Sequence, residues 1–201
     1  MIRVLIAEDQ AMVRGALKAL LAMEDDIQIV GETDRADRVL ELAKQTRPDV
    51  ALLDIEMPGG DGIGAAGELR NEFPSCKVLI VTTFGRPGFL RRAMESGAAG
   101  FMLKDSPAHE LALAIRRTIK GDRVIDPGLA AAALSAGVSP LSDRERDVLN
   151  AGKGGASIAD IAKSLFLSEG TVRNYLSSAI QKLEVGNRTE AARVAEEQGW
   201  L

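Results

Sequence analysis

Four of the five short apolar runs in the first half of the sequence each end on a polar or charged side chain. These side chains are Glu8-Asp9, Asp54, Thr82 and Lys104. A charge at the end of an apolar strand costs free energy unless it is solvated or paired. Clustered carboxylates suit Mg²⁺, and a lysine with a hydroxyl donor suits phosphoryl oxygens. The set therefore predicts phosphoryl transfer, with Asp54 as the nucleophile.

A second interpretation is that each of these residues is an isolated, solvated side chain at a strand end. For any single residue that interpretation is the commoner outcome. Five such groups at the ends of four strands favour a shared pocket.

The elements that would form this pocket alternate along residues 1–120. Apolar spacing of three and four between the strands, as in Ala11–Met23 and Arg35–Thr46, indicates helices. Alternating strands and helices predict an α/β fold with a doubly wound parallel sheet, and we expect a flavodoxin-like (βα)5 domain with ligands at the strand ends. The five predicted strands are Arg3–Ala7, Ile27–Glu32, Val50–Leu53, Lys77–Thr82 and Gly100–Leu103.

The pattern changes after residue 120. Residues 121–140 are rich in Gly, Pro, Ala and Ser and predict a linker, with a turn at Asp126-Pro127-Gly128 and a short helix at Leu129–Leu134. Residues 141–201 show no strand pattern and predict a small all-α domain. Its four predicted helices are Ser142–Asn150, Ser157–Leu165, Ser168–Leu183 and Thr189–Gln198. Ser142, Ser157, Ser168 and Thr189 stand at the expected N-caps.

Composition excludes several kinds of site. The 201 residues contain one cysteine and one histidine, so neither an intramolecular disulfide nor a multi-histidine metal site can form. No apolar run is long enough to span a bilayer and no signal-peptide pattern opens the chain, so we expect a cytoplasmic protein without a membrane partner. The net charge of −4 gives no global indication of nucleic-acid binding.

The third C-terminal helix carries residue types that read DNA. An Arg pairs best with guanine and an Asn with adenine, whereas Ser and Lys can contact phosphates. A helical docking module, whose helices only pack on each other, remains an equal alternative from periodicity alone. The expected DNA contacts are Ser168, Glu169, Thr171, Arg173, Asn174, Ser177, Lys182 and Arg188.

The first 120 residues resemble the receiver domain of two-component response regulators, through Glu8-Asp9 and the segments "LLDIEMPGGDG", "VLIVTT" and "GFMLKD". The resemblance implies that a sensor histidine kinase phosphorylates Asp54. It also implies that Asp9 and Asp54 bind Mg²⁺ directly, that Glu8 does so through water, and that Glu56 does so through its backbone carbonyl.

The same resemblance assigns the other pocket residues. Thr82 and Lys104 would hold the phosphoryl oxygens, and Thr82 with Phe101 would form the switch pair. Asp105 follows Lys104 where many receivers have a cis proline, and this ending is similar to the subfamily that carries a LuxR-type helix-turn-helix.

The C-terminal segments "LSDRERDVL" and "IADIAKSLFLSEGTVRNYLSSAIQKLEVGNRTEA" resemble that LuxR-type domain over nearly its whole length. The chain is thus identified as a member of the NarL/FixJ family: receiver 1–120, linker 121–140 and DNA-binding domain 141–201. The resemblance implies a regulator that binds double-stranded promoter DNA, dimerises on phosphorylation and acts on RNA polymerase. "AEDQAM", "MEDD", "TTFGRPGF", "LKDSP" and "TVRNY" are similar to regulators that control a fatty-acid desaturase.

Two alternatives of other classes stay open. A Mg²⁺-dependent Asp-nucleophile phosphohydrolase of the haloacid dehalogenase type would also use Asp, Thr and Lys, but it expects a second Asp where Glu56 stands. A DNA-binding protein independent of phosphorylation would not need the complete pocket. We expect no enzyme beyond the receiver's own phosphoryl transfer and dephosphorylation, the latter slowed by Glu56 and Phe84.

Apolar residues beyond the core stripe predict the dimer surface. Met12, Ala16, Ala19 and Met23 on the first helix, with Leu113 on the helix Pro107–Ile119, could form a self-complementary patch. Scattered surface apolar residues are the alternative. We expect phosphorylation to favour dimerisation through this patch.

Overall fold

The computed structural model describes residues 1–83, 85–135 and 139–201. It divides into two compact units, Met1–Gly85 with Leu90–Ala131, and Arg86–Phe89 with Ala132–Leu201. Among the helices of these described ranges, none is long and apolar enough to cross a membrane.

Strands and helices alternate along residues 1–135. The strands are β1 (Ile2–Ala7), β2 (Ile27–Thr33), β3 (Val50–Leu53), β4 (Glu56–Met57), β5 (Gly60–Asp61), β6 (Lys77–Thr82), β7 (Gly100–Leu103) and β8 (Val124–Ile125). The helices are α1 (Ala11–Leu21), α2 (Val39–Thr46), α3 (Gly62–Glu72), α4 (Pro87–Glu95), α5 (Ala108–Ile119) and α6 (Pro127–Ser135), with a 3-10 turn at Ala36–Arg38.

The main sheet is fully parallel, with strand order β2-β1-β3-β6-β7-β8. Side chains of one face, including Val4, Leu52 and Val81, pack with Leu21 of α1 and Ile115 of α5 in one core cluster. Because helices cover a parallel sheet on both faces, its strands are nearly continuous apolar runs. The flavodoxin-like fold is therefore confirmed, and it brings the ends of β1, β3, β6 and β7 to one edge.

The sheet is larger than the predicted five strands, and the added strand comes from the predicted linker. Val124–Ile125 pairs in parallel with Gly100–Phe101 at the sheet edge, and β4 pairs with β5 as a separate antiparallel ribbon. Two-residue strands carry too little periodicity to be recognised from sequence.

Helix α6 is also longer than expected. Asp126 Oδ1 accepts a hydrogen bond from Leu129 N at 2.9 Å, and Pro127 is the first helical residue. An acidic cap followed by proline is a helix start, so the predicted turn Asp126-Pro127-Gly128 is the first turn of this helix.

The C-terminal unit contains the four expected helices: α7 (Asp143–Gly152), α8 (Ile158–Ser164), α9 (Glu169–Lys182) and α10 (Arg188–Glu197). The side chains of Ser142, Ser157 and Ser168 cap the first three, as predicted. The prediction of Thr189 as the last cap is wrong, because Asn187 accepts the hydrogen bond from Glu190 N at 2.9 Å. The four helices enclose a core that includes Val148, Ile161, Val172 and Ala191.

The turn between α8 and α9 has an unfavourable residue at its centre. Phe166 has φ 55°, in the left-handed region that favours glycine, and its side chain is 96 % exposed. A residue with a Cβ pays roughly 1–2 kcal/mol for this conformation, and Phe166 recovers little of it by burial.

We expect Phe166→Gly to stabilise the C-terminal unit by on the order of 0.5–1 kcal/mol, since glycine tolerates this φ but loses more chain entropy on folding. Thermal unfolding followed by the fluorescence of Trp200, the single tryptophan, reports on this unit because Trp200 packs on its core. Phe166→Ala is the control, since it keeps the Cβ and should give no gain. A gain in the Ala variant, or none in the Gly variant, would contradict the strain argument.

Candidate phosphoryl-acceptor pocket

The ends of β1 and β3 place two carboxylates beside each other. Asp54 N donates to the carbonyl of Ala7 at 2.9 Å, which fixes Asp54 next to the end of β1. Glu8 and Asp54 are 1 % and 4 % exposed, whereas Asp9 is exposed. One carboxylate oxygen from each of the three lies within 4.8 Å of the others. The structure therefore assembles an oxygen-ligand cluster of the kind that Mg²⁺ prefers.

Lys104 supplies the cation of the pocket. Its Nζ lies 2.7 Å from Glu8 Oε2 and 2.9 Å from Asp54 Oδ2. Within the described residues, the same Nζ is the single buried side-chain polar atom without a hydrogen bond of acceptable geometry. The ammonium is thus paired by charge with both carboxylates, although neither contact has good hydrogen-bond geometry.

The buried charges shift one another's proton affinity. Burial raises the pKa of Asp54 and of Glu8, and the nearby Lys104 ammonium offsets only part of this effect. Burial lowers the pKa of Lys104, but its contacts with Glu8 and Asp54 outweigh burial, so the pKa ends above its ordinary value. Lys104 therefore stays charged, and the carboxylates are less acidic than in water.

Thr82 is the last residue of β6, and Phe101 is the second residue of the neighbouring strand β7. Both side chains are fully buried, and Lys104 N donates to the Thr82 carbonyl at 2.8 Å. Phe101 pairs in register with Ile80 of β6. Both side chains of the predicted switch pair therefore point into the protein interior in this structure.

Glu56, predicted to bind Mg²⁺ through its backbone carbonyl, differs from the other acids in the position of its side chain. Its side chain is exposed on the ribbon β4, and it is not among the described carboxylates that cluster. Phe84, predicted to flank the acceptor, lies outside the described residues.

The sequence analysis overlooked Gly62 and Arg14. A Cβ on Gly62 would lie 1.8 Å from the carbonyl oxygen of Asp54, so only glycine fits against the acceptor's backbone. Arg14 Nη1 donates to the Glu8 carbonyl at 2.6 Å and ties α1 to the pocket. The first was signalled by the glycine-rich run after Asp54, whereas no sequence pattern signalled the second.

The predicted DNA contacts fall into two groups. Glu169, Arg173, Asn174 and Ser177 are exposed on α9, next to the Ser168 cap, which accepts from Thr171 N at 3.1 Å. Arg173 pairs with Glu169 at 2.7 Å.

Lys182 and Arg188 instead make contacts within the C-terminal unit. Lys182 Nζ lies 2.8 Å from Glu145 Oε2, and Arg188 Nη1 donates to the Ala156 carbonyl at 3.0 Å. The structure therefore brings the first group together on one helix surface and engages these two cations internally.

Comparison with known proteins agrees with both units. Residues 4–116 match the response regulator receiver domain, and residues 139–195 match the luxR family of bacterial regulatory proteins. The chain belongs to the NarL/FixJ family of two-component response regulators. It is a transcription regulator with a receiver and a LuxR-type DNA-binding domain and not a classical enzyme, so the phosphohydrolase alternative is set aside.

Similar proteins extend over the whole chain. The transcriptional regulatory protein DesR of Bacillus subtilis is 46 % identical over 201 residues, covering 100 % of both chains. The probable transcriptional regulatory protein NarL of Mycobacterium tuberculosis is 37 % identical, covering 97 % of this chain and 93 % of its own.

Two solved structures share the architecture. The response regulator ChrA of a heme-sensing two-component system has 35 % identity and a TM-score of 0.59, covering 100 % of this chain and 98 % of its own. A structure of two RcsB dimers bound to two parallel DNAs has 25 % identity and a TM-score of 0.66, covering 98 % of each chain.

The raised pKa of Asp54 predicts a pH-dependent stability. A carboxyl whose pKa is higher in the folded state favours folding while protonated and disfavours it once ionised. In metal-free protein at neutral pH, we expect Asp54→Asn to stabilise the receiver, because the amide removes a charge whose burial disfavours folding. This gain should shrink as the pH falls toward 3.8, the ordinary pKa of Asp.

Circular dichroism melts in a chelator, across a pH series, measure this effect. Asp9→Asn is the matched control, because Asp9 belongs to the same cluster but is exposed. Its gain should be smaller. A stability gain for Asp54→Asn that does not vary with pH would rule out the electrostatic explanation.

Proposed function

We propose that a sensor histidine kinase transfers a phosphoryl group to Asp54 and so controls DNA binding by the chain. The observation that carries this proposal is the buried pair of carboxylates held around the incompletely hydrogen-bonded Lys104 ammonium. We propose the boundaries 1–120 for the receiver, 121–140 for the linker and 141–201 for the DNA-binding domain.

The pocket residues have complementary roles in this proposal. Glu8, Asp9 and Asp54, with the Glu56 carbonyl, would hold Mg²⁺, which when bound neutralises charge on the phosphoryl group. The Asp54 carboxylate is the acceptor, oriented by the hydrogen bond from Ile55 N to Oδ1 at 2.8 Å. The Lys104 ammonium and the hydroxyl of Thr82 bind phosphoryl oxygens, and Thr82 with Phe101 forms the switch.

We propose that α9 enters the major groove and that a phosphorylated dimer presents two such helices. The surface formed by the exposed residues Ser168, Glu169, Arg173, Asn174 and Ser177, with half-buried Thr171, supports this role. Arg188 would lie at the edge of the interface. We propose that the chain acts in the cytoplasm and contacts RNA polymerase when it is bound to promoter DNA. The resemblance to desaturase-controlling regulators and the identity with DesR support membrane-lipid desaturation genes as targets.

The acceptor is tested by phosphorylating the full chain with acetyl phosphate and Mg²⁺ and locating the acyl phosphate by mass spectrometry. We expect modification at Asp54 and none in Asp54→Ala, because Asp54 is the proposed acceptor and Glu8, the other buried carboxylate beside Lys104, is assigned to Mg²⁺ binding. Asp61→Asn, which alters an acid outside the pocket, is the control and should still be modified. Wild-type levels of phosphate in Asp54→Ala would overturn the assignment.

The dimer surface is tested by sedimentation with and without the phosphodonor. Met12 and Met23 are 87 % and 80 % exposed and Leu113 is 51 % exposed, beside a largely apolar cleft of about 390 Å³ between α1 and α5. We expect phosphorylated wild type to dimerise at micromolar concentration and Met12→Asp to remain monomeric, because a charge in this apolar surface would be desolvated.

Phe166→Asp is the matched control, since Phe166 is equally exposed but lies in the other unit. It should dimerise as wild type does. A phosphorylated Met12→Asp chain that still dimerises would place the interface elsewhere.

A further inference from the structure

Glu145 in the C-terminal unit is a carboxylate almost without solvent contact. It is the third residue of α7 and is 3 % exposed. Its Oε2 accepts from Ser142 N at 2.7 Å, which completes a capping box. A capping box alone does not require burial, as the equivalent Asp160 of α8 is exposed.

Two further contacts of Glu145 come from α9, the helix proposed to enter the major groove. Ser178 Oγ donates to Oε1 at 2.6 Å, and Lys182 Nζ donates to Oε2 at 2.8 Å. Burial raises the pKa of Glu145, but its contacts with Lys182, Ser178 and Ser142 outweigh burial and lower the pKa to about 2. The carboxylate is therefore ionised and satisfied, and it joins the start of α7 to the C-terminal half of α9.

The positions of the two donors define which face of α9 is held. Ser178 and Lys182 are four residues apart, so both lie on one face of the helix. Arg173, Asn174 and Ser177 are exposed on the rest of its surface. The Lys182 side chain is 39 % exposed, but its ammonium is held at Glu145, and moving it away to a DNA phosphate would leave a buried carboxylate without its cation, which is costly.

We propose that Glu145 is a positioning residue for DNA recognition, which holds α9 through Ser178 and Lys182, and that Lys182 is committed to this contact and binds no DNA phosphate. This inference rests on the proposed DNA binding through α9. In this inference Glu145 fixes the orientation of the exposed side chains of α9, and residues other than Lys182 make the phosphate contacts.

The salt dependence of DNA binding distinguishes the two roles of Lys182. Each phosphate contact contributes about 0.9 to the slope of log K against log salt concentration. The probe is a duplex selected from a random-sequence library by the phosphorylated wild-type chain, and every variant is the full chain treated with acetyl phosphate and Mg²⁺. Trp200 fluorescence shows that each variant is folded.

We expect Lys182→Met to raise Kd about tenfold, equivalent to about 1.4 kcal/mol, without changing the salt slope. Glu145→Gln, which keeps the size of the side chain, should also raise Kd. Because the two residues act as a pair, the double variant should bind no worse than either single variant. Asp160→Asn is the matched control, since in the described residues its hydrogen bonds go only to Ser157, and its Kd should be unchanged.

A slope reduced by about 0.9 in Lys182→Met, together with additive effects in the double variant, would identify Lys182 as a phosphate contact and overturn the inference. A wild-type chain that selects no duplex would overturn the proposed DNA recognition itself, and the inference with it.

Discussion

The receiver depends on one electrostatic constraint, the placement of the Lys104 ammonium between two buried carboxylates. Glu8 and Asp54 would repel each other strongly without a cation, because both are withdrawn from water. Lys104 reaches them from β7, which is separated from β3 by β6 in the sheet. The parallel strand order therefore brings Glu8, Asp54 and Lys104, which are far apart in sequence, within ion-pair distance.

Glu8 connects this group of charges to helix α1, which carries part of the surface proposed for dimerisation. Glu8 is followed almost at once by α1, and Gln10 N donates back to Glu8 Oε1 at 3.2 Å. Arg14 holds the Glu8 carbonyl from the same helix. Met12 lies between these two anchors and points into solvent. Glu8 thus contacts Lys104 on one side and anchors the start of α1 on the other.

The main strands and the side chains gathered in the pocket could be predicted from sequence because both follow from local pattern. An apolar run that ends in Asp54 or Lys104 predicts a strand and also places a charged side chain at the carboxyl end of that strand. The edge strand Val124–Ile125 could not be predicted, since two residues acquire strand structure only by pairing with β7. The contacts of Lys182 with Glu145 and of Arg188 with the Ala156 carbonyl could not be predicted from sequence either. The charge of a residue and its place on a helix do not determine which residue of another helix or loop packs against it.

The two units use the same pair of residue types, a buried carboxylate and a lysine, for different purposes. Asp54 has a raised pKa because burial outweighs its contacts with Lys104 and Ile55, so a bound cation would stabilise its ionised form. Glu145 has a pKa of about 2 and receives donors from Ser142, Ser178 and Lys182. Nothing remains for a ligand to satisfy there. The balance between burial and compensating contacts, rather than the presence of a lysine partner, therefore distinguishes Asp54 from Glu145.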